Sequence, residues 1–232
     1  MEIIQSKDNS RIKTARKLLQ KKYRDKSGSY LIEGFHLLEE ARKAGAEIRQ
    51  VFVEKGKGTL VSHEVLKSLS DTESPQGVVA EVVKCEQAPL SMDRGKLLVL
   101  ENVQDPGNVG TLIRTADAFG FAGVICVGET ADIYSPKVLR SAQGSHFHLP
   151  VVRGTAEVYE RLGSLLVTTL SKSSVDYREI KLAHFALLLG NEGAGVSPRA
   201  IEAASRLVHI PMLGQAESLN VAVAGGILMS QL

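Results

Sequence analysis

"KLLVLENVQDPGNVGTLIRTADAFGFAGVICVG", residues 96–128, decides the fold expected of this chain. It begins with an apolar run of strand length, passes through a turn into an amphipathic segment, and ends with a second apolar run. Near-continuous apolar strands are typical of a parallel sheet whose two faces are covered by helices. The stretch therefore predicts a strand, a helix over 108–119 and a second strand of an α/β domain.

The rest of the second half continues this alternation. "SPKVLRSAQG", residues 135–144, predicts a helix entered through Pro136, and further buried strands are expected at "LLVTTL" (165–170), "FALLLG" (185–190) and "LVHIPM" (207–212). The spacing of His146 and His148 resembles that of one face of a strand, but no third ligand is near, so we expect no metal site.

The first part of the chain predicts a smaller α/β domain. "SRIKTARKLLQKKYR", residues 10–24, has helical spacing with its charges on one face, and residues 29–55 predict a strand, a helix closed around Gly45 and a strand. "GVVAEVVKC", residues 77–85, is a further strand. We therefore expect one domain over 1–90, a linker near 86–95 and a second domain over 96–232.

Composition excludes several classes of protein. Of 232 residues, 44% are hydrophobic and 23% charged, as in ordinary globular proteins, and no apolar run has the roughly 18 residues needed to span a bilayer. No signal-peptide core is present, so we expect a soluble, cytoplasmic protein without a membrane partner. The two cysteines, Cys85 and Cys126, lack the spacing of a zinc or redox motif.

Positive charge is concentrated at the N-terminus. Residues 1–30 hold nine Lys or Arg and three acidic residues, whereas the remaining chain holds 19 basic and 23 acidic residues. Such a segment suits a polyanion, because contacts between basic side chains and phosphates release counterions. A solvated helix face is the alternative.

Three corners rich in Gly and Asn follow predicted strands. In the first, Asp105-Pro106-Gly107 is a turn, Asn108 is expected to cap the helix, and Arg114 faces away from the apolar stripe that begins at Val109. An ordinary surface arginine would have the same position. An oxygen-bearing ligand could bind the first helical amides.

The second and third corners lie further along the chain. "LLLGNEGAGVS", residues 187–197, places glycines where a parallel strand ends, but it lacks the glycine fingerprint of a nicotinamide site, and the chain has no phosphate-binding loop of the nucleoside-triphosphatases. In "IPMLGQAESLNVAVAGGILM", residues 210–229, Ser218 or a neighbour is expected to cap an apolar helix that contains Asn220. Gly225 and Gly226 indicate close packing of another backbone.

Together, "DPGNVGTLIRTADAFG" (105–120), "LLLGNEGAGVS" (187–197) and "IPMLGQAESLNVAVAGGIL" (210–228) closely resemble the three ordered motifs of the SpoU (TrmH) family of RNA 2′-O-ribose methyltransferases, within the SPOUT group. "YLIEGFHLLEEA" (30–41) and "SLSDTESPQGVVAEV" (68–82) also resemble the L30e-like substrate-binding domain that precedes the catalytic domain in many members. The resemblance covers nearly the whole chain.

The resemblance implies a catalytic domain with a C-terminal trefoil knot, a homodimer, and S-adenosylmethionine as cofactor. The cofactor contacts carried over from the family are Gly190, Ile210 and Leu219. The catalytic-site positions carried over are Asn108, Arg114, Glu192, Ser218 and Asn220. All of them match the family pattern. The sequence stops at Leu232, soon after the third motif, which predicts a short last helix and a weaker dimer.

The family often assigns activation of the 2′-hydroxyl to the arginine that matches Arg114. A guanidinium with a pKa above about 12 is a poor base, so we expect Arg114 to hold a phosphate and stabilise alkoxide charge, and a phosphate oxygen or water to take the proton. For Glu192 we expect a role in holding its loop. The L30e-like domain favours ribosomal over transfer RNA as the partner, and we expect no DNA. The alternatives are a transfer RNA methyltransferase and a non-catalytic RNA-binding assembly factor.

Overall fold

The computed structural model describes residues 3–85, 87, 90 and 95–232. The chain forms two compact units: Met1–Glu86 with Tyr134–Phe147, and Gln87–Ile133 with His148–Leu232. Most of the predicted linker at 86–95 lies outside the described residues. The division into functional domains at 1–90 and 96–232 stays a prediction.

The first unit is built on a four-stranded sheet in the order β1-β4-β2-β3. β4 pairs antiparallel with β1 and β2, and β3 pairs parallel with β2. The predicted strands and the helix between the first two of them are confirmed, whereas β3 and α4 were not predicted. The elements are α1 Ser10–Lys17, α2 Lys21–Ser27, β1 Ser29–Glu33, α3 Phe35–Lys43, β2 Ile48–Val53, β3 Thr59–Leu60, α4 His63–Lys67 and β4 Val78–Val83. The unit also contains one helix from later in the chain, α6 Pro136–Ala142.

The basic N-terminal segment forms two helices, not the single helix predicted. Asn9 caps α1, and Ile12, Ala15 and Leu18 pack into the core, as their spacing predicts. The helix stops because the buried guanidinium of Arg24 donates a hydrogen bond of 2.7 Å to the Leu18 carbonyl. In a continuous helix that carbonyl would accept from the backbone four residues later.

The second unit contains the predicted parallel sheet. Its seven strands have the order β7-β6-β5-β10-β8-β11-β9, and every described pairing is parallel. The strands β5, β6 and β10 are buried along their whole length, which accounts for their continuous apolar runs. The elements are β5 Leu97–Glu101, α5 Pro106–Ala118, β6 Gly123–Val127, β7 Val151–Gly154, β8 Leu165–Thr168, β9 Val175–Asp176, β10 Ala186–Leu189, α7 Pro198–Ala203, β11 Arg206–His209 and α8 Val221–Gln231.

Helix α5 connects two strands that are neighbours in the parallel sheet, β5 and β6. Four residues of its predicted apolar stripe are completely buried: Val109, Leu112, Ile113 and Ala116. Phe119, predicted as the fifth, instead follows the last helical residue and is exposed, because the helix has ended there. The parallel α/β fold is therefore confirmed, and the trefoil knot stays a prediction, since strand order and pairing do not establish it.

Residues 145–147 form a short 3₁₀ helix, so His146 and His148 do not share the face of a strand. Within the described ranges, no group of three His, Cys, Asp or Glu side chains is arranged to hold a metal ion. Among the same residues, every helix is too short or too polar to cross a bilayer.

Candidate active site at the carboxyl ends of the parallel strands

The three Gly- and Asn-rich segments follow β5, β10 and β11 of the second unit. Because all these strands are parallel, their carboxyl ends lie at the same edge of the sheet, which is where α/β proteins bind ligands. The segments therefore meet at this edge although they are far apart in sequence.

The first segment starts α5 in a way that differs from the prediction. Asp105, not Asn108, is the N-cap, and its carboxylate accepts a hydrogen bond of 2.8 Å from the Asn108 backbone N–H. Pro106 occupies the first helical position, where the absence of an N–H costs nothing. Asn108 therefore lies inside the first turn, and its side chain is not used in capping its own helix.

The second segment forms a tight loop. The backbones of Asn191 and Gly195 exchange two hydrogen bonds, and the Asn191 side-chain oxygen accepts from the N–H groups of Gly193 and Ala194. A Cβ on Gly190 would lie 2.5 Å from the Gly195 carbonyl oxygen, so only glycine fits there. The loop thus has a defined shape despite its glycines.

The third segment also differs in detail from the prediction. Asn220 lies not within the apolar helix but at its N-cap, where its side-chain oxygen accepts from the backbone N–H groups of Ala222 and Val223. This explains how a polar amide is tolerated beside so apolar a sequence. The predicted cap, Ser218 or a neighbour, is therefore Asn220.

A hydrogen-bonded chain joins the three segments. The Asn220 amide nitrogen donates to the Asn108 side-chain oxygen at 3.2 Å, and the Asn108 amide nitrogen donates to Glu192 Oε1 at 2.6 Å. These bonds fix the orientation of the Asn108 carboxamide, because its oxygen accepts and its nitrogen donates. Helix α8 thereby supports a carboxylate at the centre of the second segment.

A cavity of about 380 Å³ opens beside this hydrogen-bonded chain, at Glu192. Five of the residues predicted from sequence line it: Gly190, Glu192, Ile210, Ser218 and Leu219. Its size is within the roughly 300 to 1,000 Å³ of small-molecule sites, and its walls are mostly apolar with a few polar groups, as such sites usually are. The second and third segments line this pocket, and the first is attached to it through the hydrogen bond from Asn108 to Glu192.

Thr168, Thr169 and Leu170 also line the cavity and were not identified from the sequence. They follow β8, which pairs with β10 and β11 in the same sheet. The strand itself was predicted, and the rule that ligands bind at strand carboxyl ends would have identified the residues after it as well.

Among the predicted catalytic residues, Arg114 alone belongs neither to the hydrogen-bonded chain nor to the wall of the cavity. It is exposed on α5, as predicted, and is absent from the residues that line the cavity. It lies six positions after Asn108, a distance of about 9 Å along the helix axis. Within the described part of the chain it has no carboxylate partner, so its guanidinium is available to an external anion.

A parallel α/β sheet with an apolar, polar-edged pocket at its carboxyl ends defines the class as a cofactor-binding α/β protein. Comparison with known proteins narrows this class. Residues 95–230 match the SpoU rRNA methylase family, and residues 9–80 match the MRM3-like substrate binding domain. The chain belongs to the SpoU rRNA methylase family, as the three motifs indicated.

Individual relatives cover the whole chain. The 23S rRNA (guanosine(2553)-2′-O)-methyltransferase RlmP of Bacillus subtilis is 41% identical over 100% of this chain and 99% of its own length. The AdoMet-bound rRNA methyltransferase from Sinorhizobium meliloti has a TM-score of 0.90 and 34% identity, covering 99% of this chain and 96% of that one. The SpoU methyltransferase AviRb from Streptomyces viridochromogenes, in complex with AdoMet, has a TM-score of 0.84 and 30% identity, covering 96% of each chain.

Proposed function

We propose that this chain transfers a methyl group from S-adenosylmethionine to a ribose 2′-hydroxyl of ribosomal RNA. The observation that carries the proposal is that the second and third family motifs line one pocket, and that Asn108 of the first motif is hydrogen-bonded to both of them, at Glu192 and Asn220. The RlmP relative, similar over its whole length, favours the large ribosomal subunit RNA as the substrate.

The pocket suits the cofactor on its own chemistry. Ile210 and Leu219 provide apolar walls for an adenine ring, while the hydroxyls of Thr169 and Ser218 can bind polar groups. Gly190, where no Cβ fits, keeps the loop backbone close to the cavity. When bound, S-adenosylmethionine supplies a methyl group activated by its sulfonium.

The chain's own residues then position the RNA and exclude water. Asn108, Asn220 and Glu192 hold the pocket edge in one arrangement, which would give a ribose hydroxyl a fixed approach to S-adenosylmethionine bound in the pocket. Glu192 acts as an acceptor that orients Asn108. Arg114 binds the phosphate beside the target ribose and stabilises negative charge on the 2′-oxygen, whose proton passes to a phosphate oxygen or water.

The first unit is proposed to bind the RNA through α1 and α2. Arg11, Arg16, Lys22 and Lys26 are exposed there and have no carboxylate partner within 4 Å among the described residues. Lys22 also makes a cation–π contact with Tyr23, its ammonium lying 4.9 Å from the centre of the ring. The match of residues 9–80 to a substrate-binding domain supports this assignment.

A second copy of the chain is the proposed protein partner. Helix α8 is apolar on every side, and although one side packs on α5, Val223 remains 53% exposed. A helix with this composition is normally buried all round, and a homodimer would cover it.

A ribosomal RNA substrate also agrees with the cytoplasmic location predicted from the sequence.

The test is to map ribose methylation in ribosomal RNA from cells with and without this protein. The proposal expects one 2′-O-methyl group to disappear in the deletion strain and to return with the wild-type gene. Ribosomal RNA with unchanged ribose methylation would overturn the substrate, and methylation lost from transfer RNA would identify the other RNA class.

A further inference from the structure

Glu101 is a buried carboxylate that neither the motifs nor the proposed mechanism uses. It is the last residue of β5 and is 3% exposed. Its Oε1 accepts hydrogen bonds from the Tyr159 hydroxyl at 2.7 Å and the Ser197 hydroxyl at 2.6 Å, and its Oε2 accepts from the Ser197 N–H at 2.8 Å. Three donors therefore satisfy the two carboxylate oxygens.

In each of these three bonds Glu101 is the acceptor. The Ser197 hydroxyl oxygen accepts from the Ala200 N–H to cap α7, so its one proton points to Glu101. Burial and the nearby Glu101 carboxylate raise the pKa of Tyr159, which keeps that hydroxyl protonated. The backbone N–H of Ser197 can only donate. A carboxamide in place of Glu101 would present an N–H₂ group to at least one of these donors.

Ser197 is the last residue of the loop 191–197, and Asn102, which follows Glu101, binds the first residue of that loop. Its backbone carbonyl accepts a hydrogen bond of 2.9 Å from the Asn191 side chain. Asn102 has φ of 56°, and its own side-chain oxygen accepts from the Glu129 N–H at 2.8 Å, which favours this left-handed conformation. Two adjacent residues at the end of one central strand thus bind the first and last residues of the loop 191–197.

The loop held in this way is the second motif. It lines the pocket from Asn191 to Val196, and it carries Glu192, the acceptor for Asn108. A segment that contains two glycines has many alternative conformations, so an active loop of this kind depends on fixed ends. Glu101 fixes the end nearest α7.

We propose that Glu101 is a positioning residue for the methyl-transfer site, acting through Ser197 to hold the loop 191–197 in its cofactor-binding shape. The proposal rests on the proposed function for the identity of the cofactor. The loop's attachment itself can be measured without it.

Tyr159 provides the matched control. Tyr159→Phe removes one hydrogen bond from the same carboxylate oxygen but none from the loop, whereas Glu101→Gln weakens the bonds that end on Ser197. If Glu101 only stabilised the fold, Glu101→Gln would speed exchange throughout the second unit and would not act on the loop in particular. If it positions the loop, the two variants differ at the pocket.

The experiment measures three quantities on the full chain: amide hydrogen exchange of a peptide that covers 190–197, the Kd for S-adenosylmethionine, and kcat and KM on ribosomal RNA. For Glu101→Gln we expect exchange and cofactor Kd each to rise about tenfold over Tyr159→Phe, the size expected for a weakened hydrogen bond to a charged group. The KM for RNA stays near that of the wild type.

Equal exchange in Glu101→Gln and Tyr159→Phe would overturn the proposal, and so would faster exchange with an unchanged cofactor Kd. If Glu101→Gln does not fold, Ser197→Ala, which removes the hydroxyl contact but keeps the N–H, must shift exchange and Kd in the same direction. A wild-type protein that bound no S-adenosylmethionine would defeat the proposed function, while the exchange comparison would still decide whether Glu101 holds the loop.

Discussion

The side chain of Asn108 donates a hydrogen bond of 2.6 Å to Glu192, 84 residues further along the chain. Asn220, 112 residues beyond Asn108, donates to the same carboxamide from the other side. The amide thus joins the starts of α5 and α8 to the loop after β10, and its donor and acceptor ends are assigned by their partners.

The direction of this bond can be reversed by mutation. Asn108→Asp alone places two carboxylates together, and we expect kcat/KM to fall about 100-fold, because like charges at this distance disfavour the ionised pair. Adding Glu192→Gln restores a donor, since the new amide can donate to the new carboxylate. We expect the double variant to recover to within about tenfold of wild-type kcat/KM.

Steady-state kinetics of the two single variants and the double variant measure this cycle. Glu192→Gln alone is the control, since a glutamine oxygen can still accept from Asn108, and it should be mild. A double variant as slow as Asn108→Asp would contradict the reversed hydrogen bond, and a Glu192→Gln variant that is itself slow would show that Glu192 is needed as an acid or base.

Arg114 is expected to orient and stabilise and not to act as a base. Arg114→Lys keeps the charge but loses the two-pronged guanidinium, so kcat should fall about 100-fold while the cofactor Kd stays near that of the wild type. Arg161→Lys, at an exposed arginine of the same unit, is the matched control and should be neutral. Wild-type turnover in Arg114→Lys would exclude the role.

Most strands and helices of the second unit could be predicted from the sequence, whereas the caps of α5 and α8 could not. Buried parallel strands have a continuous apolar pattern, and three motifs were long enough to identify the family. The prediction of Asn108 as the cap was wrong, because Asp and Asn both cap helices well, although Pro106 at the first helical position favours Asp105.

Long-range contacts were harder to predict. The break between α1 and α2 depends on the Arg24 side chain reaching the Leu18 carbonyl, and nothing in the local pattern distinguishes a buried arginine from its exposed neighbours. The two-residue strands β3 and β9 are too short to have a period. Glu101 is a polar residue at the end of an apolar strand, and its role depends on Ser197, 96 positions away.

Electrostatic binding by the basic helices has a salt signature. Replacing Arg11, Arg16 and Lys22 by Gln should weaken binding to all RNA sequences alike and reduce the slope of log affinity against log salt by about 2 to 3. The same charge change at Lys55, Lys57 and Lys67, exposed elsewhere on the first unit, is the control. Filter binding over a salt series measures both, and equal slopes for the two triple variants would refute the assignment.

Two adjacent glycines of α8 should respond oppositely to alanine. A Cβ on Gly225 would clash with Leu112 and lie 2.8 Å from Leu189 Cδ1, both fully buried side chains, so Gly225→Ala should destabilise by about 1 to 3 kcal/mol. Gly226 has no such neighbour within 4 Å.

Gly226→Ala should therefore stabilise the protein by about 0.5 to 1 kcal/mol through helix propensity. Urea unfolding of the two variants measures the difference in the free energy of unfolding. The close packing predicted at both glycines from sequence thus holds only at Gly225, where the neighbours are side chains and not backbone. Destabilisation by Gly226→Ala in a dimer would place that face in the subunit interface.

The most direct measurement is methyl transfer in vitro, from S-adenosylmethionine labelled in its methyl group to ribosomal RNA that lacks the modification. Ribose 2′-O-methylation blocks alkaline cleavage of the next phosphodiester, which needs the free 2′-hydroxyl. We expect label in an alkali-resistant dinucleotide with the wild type and little with Asn108→Asp. Label recovered in single nucleotides, on a base, or no label at all would contradict this expectation.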